Sequence, residues 1–194
     1  MAATKTLGTA AAAMRSSGLG FGCMGITSFY GKPMADADAV ALLQRAAALG
    51  ATHWDTAEAY HVKRADGSVE WNESVVGKGV AAVGRTKLQL ATKYNPHMHG
   101  GQLTAELALA AARASCERLG VDSVDLYYVH RMAPKTPLAE QAAAMNAVKE
   151  AGLASCIGVS EFSPENLRAF HAICPVTAVQ QEWSLMNRDL EVIL

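Results

Sequence analysis

An alternating α/β fold built on a parallel sheet is what this 194-residue sequence predicts, on three observations. Short apolar runs rich in β-branched residues recur along the chain, stretches of helical period separate them, and polar residues stand at the ends of successive runs. Strand-then-helix repetition leaves two architectures, a doubly wound open sheet and the (β/α)8 TIM barrel. Asp55, Lys93, His130, Ser160 and Gln180 fall at or near the C-terminal ends of five successive strands. In a barrel those ends ring one mouth, whereas an open sheet spreads them along a line, so convergence on one substrate favours the barrel.

Six strands are expected, at Leu19–Met24, Thr52–Asp55, Leu88–Lys93, Val124–His130, Cys156–Ser160 and Ala178–Trp183. Between them, Asp36–Leu49 places Val40, Leu43 and Ala47 on one face and stops at Gly50. Thr104–Leu119 repeats the pattern with Leu107, Ala111 and Leu119 before Gly120, and Leu138–Ala151 ends at Gly152. In Ser163-Pro164-Glu165-Asn166 the proline takes the first helical position, where its missing N–H costs nothing. The count is about six βα units, against the eight strands and roughly 250 residues of a complete barrel.

Residues 1–18 read as an extension and 19–194 as one domain. No acidic residue precedes Asp36, a bias shared with organelle transit peptides; Ala10–Ala13 with Met14-Arg15 reads equally as a poorly ordered or helical entry to the first strand. Seventeen basic residues against eighteen acidic ones leave a net charge of −1, which supplies no footprint for nucleic acid or an anionic membrane. The four cysteines are widely spaced, which argues against a zinc ribbon or a disulfide framework. No apolar run nears the roughly 20 residues of a membrane span. A soluble, cytoplasmic protein with a small-molecule partner is expected.

Gly20-Phe21-Gly22-Cys23-Met24-Gly25 spells G-x-G-x-x-G, yet Ile26–Pro33 follows it as a loop and the first helical period starts only near Asp36. The phosphate-binding turn of a dinucleotide fold requires a helix directly after the glycines. These glycines are expected instead to let the first barrel strand approach a flat ligand closely.

The chemistry concentrates at the strand ends. Lys93 closes an apolar strand, so its charge must find an anion or be lost, and Asp55 is the nearest candidate. A phenol is a weak acid near neutrality, but an ammonium beside it makes proton transfer practicable; Tyr60 and Lys93 can form such a couple. His130, neutral, can donate to a carbonyl oxygen and orient it. What this set lacks is a hydride, which implies a reduced nicotinamide. Two other chemistries remain open: a zinc hydrolase on His97-Met98-His99 with His130 and Asp55, and an aldolase using Lys93 as a Schiff base.

The segments Trp54–Tyr60, Ala91–Tyr94, Asp125–His130 and Ile157–Phe162 resemble the aldo-keto reductase family in order and spacing. Phe21–Gly25 with Phe29-Tyr30-Gly31 is similar to its bacterial, fungal and plant branch, which includes auxin-induced-protein-like members. The resemblance implies a barrel that reduces aldehydes or ketones with NADPH, a catalytic tetrad of Asp55, Tyr60, Lys93 and His130, and no metal. It also implies cofactor-binding roles for Asp55, Ser160, Glu161 (where many members have asparagine), Gln180 and the backbone at Met24-Gly25. The family's seventh and eighth strands have no counterpart here, so a fragment, a weakened relative or a regulatory barrel like the family's channel-associated β-subunits is the competing expectation. The polar stretch His61–Trp71 separates the tyrosine from Asn72-Glu73 by more than is usual; it either shapes substrate choice or is a solvated loop.

Overall fold

A computed structural model describes residues 3–9, 12–63 and 66–193. An antiparallel hairpin of β1 (Thr4–Leu7) and β2 (Met14–Ser17) leads into β3 (Gly20–Gly22), α1 (Asp36–Ala48) and β4 (His53–Asp55). A second hairpin, β5 (His61–Lys63) with β6 (Val69–Trp71), precedes α2 (Asn72–Val83) and β7 (Gln89–Tyr94). Then follow α3 (Ala105–Leu119), β8 (Val124–Val129), α4 (Leu138–Glu150), β9 (Ala154–Ser160), α5 (Pro164–His171), β10 (Val176–Gln180) and a last turn, α6 (Leu190–Ile193).

Six strands form one parallel sheet in the order β10-β9-β8-β7-β4-β3. The sheet is strongly curled. Gln180 on β10 donates to Asp55 on β4 across 3.1 Å, although three strands stand between them; in a flat sheet four strand spacings would hold them roughly 19 Å apart. The result is the half-barrel of a (β/α)8 fold, with β3 and β10 as its edges among the described residues. An apolar groove lined by Phe162, Leu167, Val179, Trp183 and Leu190 runs outside β10.

Side-chain alternation divides the strands between two layers. Outward-facing Trp54, Leu90, Tyr127, Val129, Ile157 and Val159 belong to the large core shared with the helices, which contribute Leu43, Val76, Val80, Leu119, Met145 and Phe170. Inward-facing Ala91, Leu126, Tyr128 and Cys156 form a smaller cluster with Met14 of the first hairpin, and Leu7 packs against it. The hairpin is therefore the floor of the half-barrel. No helix among the described residues is long and apolar enough to cross a membrane.

The strands expected from sequence are present with shifted ends: Met24 opens a 3-10 turn rather than closing β3, His130 lies just beyond β8, and β10 stops at Gln180. Three elements were not expected. The entry to the first strand is a β-hairpin, neither disordered nor helical where it is described: Thr4–Leu7 pairs with Met14–Ser17, and Gly8 turns at φ 79, where a Cβ would lie 2.2 Å from Ala12 O. Ala10 and the residue after it lie outside the described residues. Helix α2 carries Gly77 and Gly79, which weaken its helical signature. Both glycines are needed for close packing, since a Cβ on Gly77 would meet Leu119 O at 2.8 Å and one on Gly79 would meet Leu43 Cδ1 at 2.4 Å. The polar stretch His61–Trp71 is also a hairpin, although Arg64 and Ala65 lie outside the described residues. Trp71 tethers it, with the Arg118 guanidinium 4.4 Å from its ring centroid and the His61 ring at 4.9 Å.

Candidate active site

Lys93 occupies an inward position near the end of β7, two residues after Ala91, and is fully buried. A buried ammonium needs compensation. It is ion-paired to Asp55 at the end of neighbouring β4 and donates to Thr56 O at 2.8 Å. Two aromatic rings complete its shell, with centroids at 5.2 Å for Tyr60 and 5.8 Å for Tyr128.

Tyr60 reaches this point because the chain turns sharply after β4, its own N–H donating to Ala57 O (3.1 Å) and its carbonyl accepting from Asn72 N–H (2.8 Å). The ring is 8% exposed and sits edge-on to His130, centroids 5.6 Å apart and planes at 89°. His130 is placed by its N–H donating to Tyr94 O at 2.9 Å. Burial lowers its pKa to about 4, with the cations Lys93 and Arg131 adding to the effect, so the ring is neutral at physiological pH. Its Nδ1 is buried and has no hydrogen-bond partner among the described residues.

Asn72, wholly buried at the start of α2, ties the loops together. Its Oδ1 accepts from Thr56 Oγ1 (2.5 Å), and its Nδ2 donates to Cys23 O (2.9 Å) and Thr27 Oγ1 (2.8 Å). Glu73 does the same beneath β7, accepting from Thr92 Oγ1 (2.5 Å) and Arg118 Nε (2.6 Å). The sequence marks the Asn72-Glu73 pair only as a landmark; what it does depends on partners 16 to 49 residues away in sequence.

The remaining candidates divide. Ser160 and Gln180 are register neighbours on β9 and β10. Gln180 joins the central cluster by donating to Asp55 Oδ2, and Ser160 Oγ accepts from the Arg131 guanidinium at 3.2 Å, a contact the sequence did not suggest. Glu161 stands in the left-handed region at φ 57, and its carboxylate accepts from Glu182 N–H at 3.1 Å. Met24 and Gly25 lie in the 3-10 turn after β3, joined to the site through Cys23 N–H, which donates to Asp55 O at 2.8 Å. Gly25 is exposed, and a Cβ there would press on the Tyr30 ring at 3.2 Å. His97-Met98-His99 lies in a 3-10 turn, and His99 Nε2 is bound to Glu58 at 3.0 and 3.2 Å. Among the described residues no group of three or more His, Cys, Asp or Glu side chains is placed to hold a metal ion.

A curled parallel sheet whose C-terminal mouth holds a buried lysine paired with an aspartate, a tyrosine and a neutral histidine is the arrangement of a (β/α)8-barrel protein with its polar cluster at the strand ends. The aldo/keto reductase family model matches residues 18–193, and the chain belongs to that family. A probable aldo-keto reductase 1 from Glycine max is 39% identical over 180 residues, spanning 90% of this chain and 50% of the relative. Among solved structures, the thermostable aldo-keto reductase Tm1743 in complex with the inhibitor epalrestat superposes with a TM-score of 0.83 at 30% identity, over 98% of this chain and 66% of that one. Aldo-keto reductase AKR11C1 from Bacillus halodurans, in its holo form, gives a TM-score of 0.80 at 25% identity, over 99% and 61% of the two chains. The chain thus spans about half the length of the curated relative it matches.

Proposed function

We propose that the protein is an NADPH-dependent reductase of aldehydes or ketones, acting on a small carbonyl substrate from the cytoplasm, with Tyr60 as general acid. The observation that carries this reading is the wholly buried Lys93 ammonium, paired with Asp55 on one side and 5.2 Å from the Tyr60 ring centroid on the other.

The chain's own donors suit a nicotinamide carboxamide: the Ser160 hydroxyl and Gln180 amide are register neighbours at adjacent strand ends, and the turn at Met24-Gly25 bounds the opposite rim. Glu161 would act there through its backbone, because its carboxylate is turned to Glu182. A nicotinamide bound at these residues supplies the hydride that carbonyl reduction requires. The protein side of the reaction falls to four side chains. Tyr60 gives its phenolic proton to the carbonyl oxygen as that oxygen gains charge. The Lys93 ammonium stabilises the phenolate left behind, and Asp55 keeps the ammonium charged and fixed in place. His130, neutral because of its burial, keeps one ring N–H to donate to the same oxygen and orient it. Preference for NADPH over NADH comes from the family likeness.

Tyr60→Phe in the full-length protein tests the assignment. Carbonyl reduction should fall about 10²- to 10⁴-fold, the usual worth of a positioned acid, while quenching of protein fluorescence by NADPH persists. Turnover that survives the substitution refutes Tyr60 as the acid. Quenching without turnover in the unsubstituted protein would instead support a binding barrel without catalysis.

A further inference from the structure

Glu58 is the one carboxylate in the Asp55–Tyr60 turn to which the proposed chemistry assigns no part, and it is almost wholly buried at 3% exposure. Desolvation pushes its pKa up, yet it is not left alone. Oε1 accepts from the Asn95 backbone N–H at 2.5 Å, and both oxygens face His99 Nε2, at 3.0 and 3.2 Å. The Glu58 amide donates in turn to Lys93 O at 3.4 Å. His99 is itself held, its ring stacked on Tyr94 with centroids 4.5 Å apart and planes at 12°, and Tyr94 Oη donates to Gln102 O at 2.7 Å.

These contacts are arranged around one relation. Glu58 stands two residues before Tyr60, while Asn95 stands two residues after Lys93. The turn that carries the phenol is therefore fastened at two points to the strand end that carries the ammonium: at the Lys93 carbonyl, through the Glu58 amide, and two residues further on at the Asn95 N–H, through the Glu58 carboxylate. The Asp55 pair and the Thr56 carbonyl hold the ammonium itself but lie at the start of the turn, four or five residues from the phenol. We infer that Glu58 and His99 form a positioning clasp that sets the distance between Tyr60 and Lys93. Neither residue touches the reacting atoms; both act through the turn and the loop they join. This rests on the reading of Tyr60 as the acid.

Reacting groups held at near-attack distance lose about 10²-fold in rate for a displacement of about 1 Å. Glu58→Ala should therefore lower kcat by roughly one to two orders of magnitude, with the NADPH dissociation constant within about twofold of wild type, since no group proposed to touch the cofactor is altered. Glu58→Gln keeps a carbonyl for Asn95 N–H and should restore most of kcat, which a charge required for chemistry would not allow. His99→Ala, at a partly buried position nearer the surface than Glu58, should lower kcat about fivefold to tenfold by the same displacement, and the Glu58→Ala/His99→Ala double variant should be no worse than Glu58→Ala alone. The measurements are steady-state kcat and KM in the full-length protein, NADPH titration by fluorescence, and thermal melting to count folded enzyme. Should Glu58→Ala not fold, His99→Ala decides alone: wild-type kcat per folded molecule overturns the clasp, and a fall in kcat at unchanged cofactor affinity supports it. Tyr60→Phe, run in parallel, separates the two failures. If it keeps turnover the catalytic reading is at fault; if it abolishes turnover while the Glu58 and His99 variants keep theirs, only the clasp is.

Discussion

The two ends of the half-barrel are built from the same strands and solve opposite problems. At the floor, Ala91, Leu126, Tyr128 and Cys156 meet Met14 from the hairpin in an apolar cluster, where burial is favourable for every member. At the mouth, one or two inward positions further along, the same strands present Lys93, His130, Ser160 and Gln180, with Asp55 on β4. Burial there is unfavourable for each group singly and tolerable only because each has a partner or has given up its charge. Stability at the floor is thus local and additive, whereas at the mouth it is mutual: Lys93 is satisfied by Asp55, Asp55 also by Gln180, and Glu58 by Asn95 and His99. A region built that way keeps its geometry before any ligand arrives, which is what a catalytic site requires.

The sharpest way to break this contrast is Lys93→Met. Removing the ammonium leaves the Asp55 carboxylate without its counter-ion, though still held by Gln180 and 15% open to solvent, so the substitution should cost about 3 kcal/mol of stability, the low end for a buried pair, as well as all turnover. The double variant Lys93→Met/Asp55→Leu should recover a large part of that stability and none of the activity. Urea unfolding of the wild type, both single variants and the double variant checks this; additive losses would show that the pair is not mutual.

Met14→Ala probes the floor. Met14 is 8% exposed and backed by the inward cluster, so truncation should cost about 2 kcal/mol, the low end for a methionine cavity because the hairpin can settle inward. Turnover per folded molecule should stay unchanged. A fall in kcat matching the fall in stability would mean that floor and mouth are one cooperative unit and the distinction between them is false.

How much of this was legible in the sequence follows the same division. The mouth announces itself because its residue types are out of place on apolar strands: a lysine after Leu88–Ala91 and a histidine after Tyr127-Tyr128-Val129 demand explanation. Period-2 alternation then assigns them to the inner face, and the curl that brings Gln180 to Asp55 follows from the barrel geometry. The floor is silent because Thr, Ser, Ala and Met are common in any context, and pairing β1 with β2 requires knowing a turn that starts at Gly8. Helix α2 was hidden by the glycines that let it pack between α1 and α3. The Glu58–His99 contact joins residues 41 apart, and the Arg131 contact to Ser160 joins residues 29 apart. Local patterns do not encode such distances; the side chains are visible in the sequence, and their partners are not.

The smallest expected effect concerns pH, and it distinguishes mouth from floor without touching the ion pair. His130 titrates at about 4 in the folded protein because burial and the neighbouring cations Lys93 and Arg131 oppose its charge, with His97 adding to them and Asp55 pulling the other way. Its ordinary value in an unfolded chain is about 6.5. Between those values the unfolded chain binds a proton that the folded one refuses, so the His130 contribution is intact above about pH 6.5, declines as pH falls and levels off below about 4. By pH 5 the loss should be about 1–2 kcal/mol, after allowance for the part of the ring that solvent still reaches. His53 near the floor, its pKa lowered chiefly by burial, contributes with the same sign. Comparison with His130→Gln isolates the mouth: its stability should decline less steeply between pH 6.5 and 4 than that of the wild type, while the His53 part persists in both. Superimposable pH–stability curves for the two proteins would mean that His130 accepts its proton as easily folded as unfolded, and that the mouth does not keep this ring neutral.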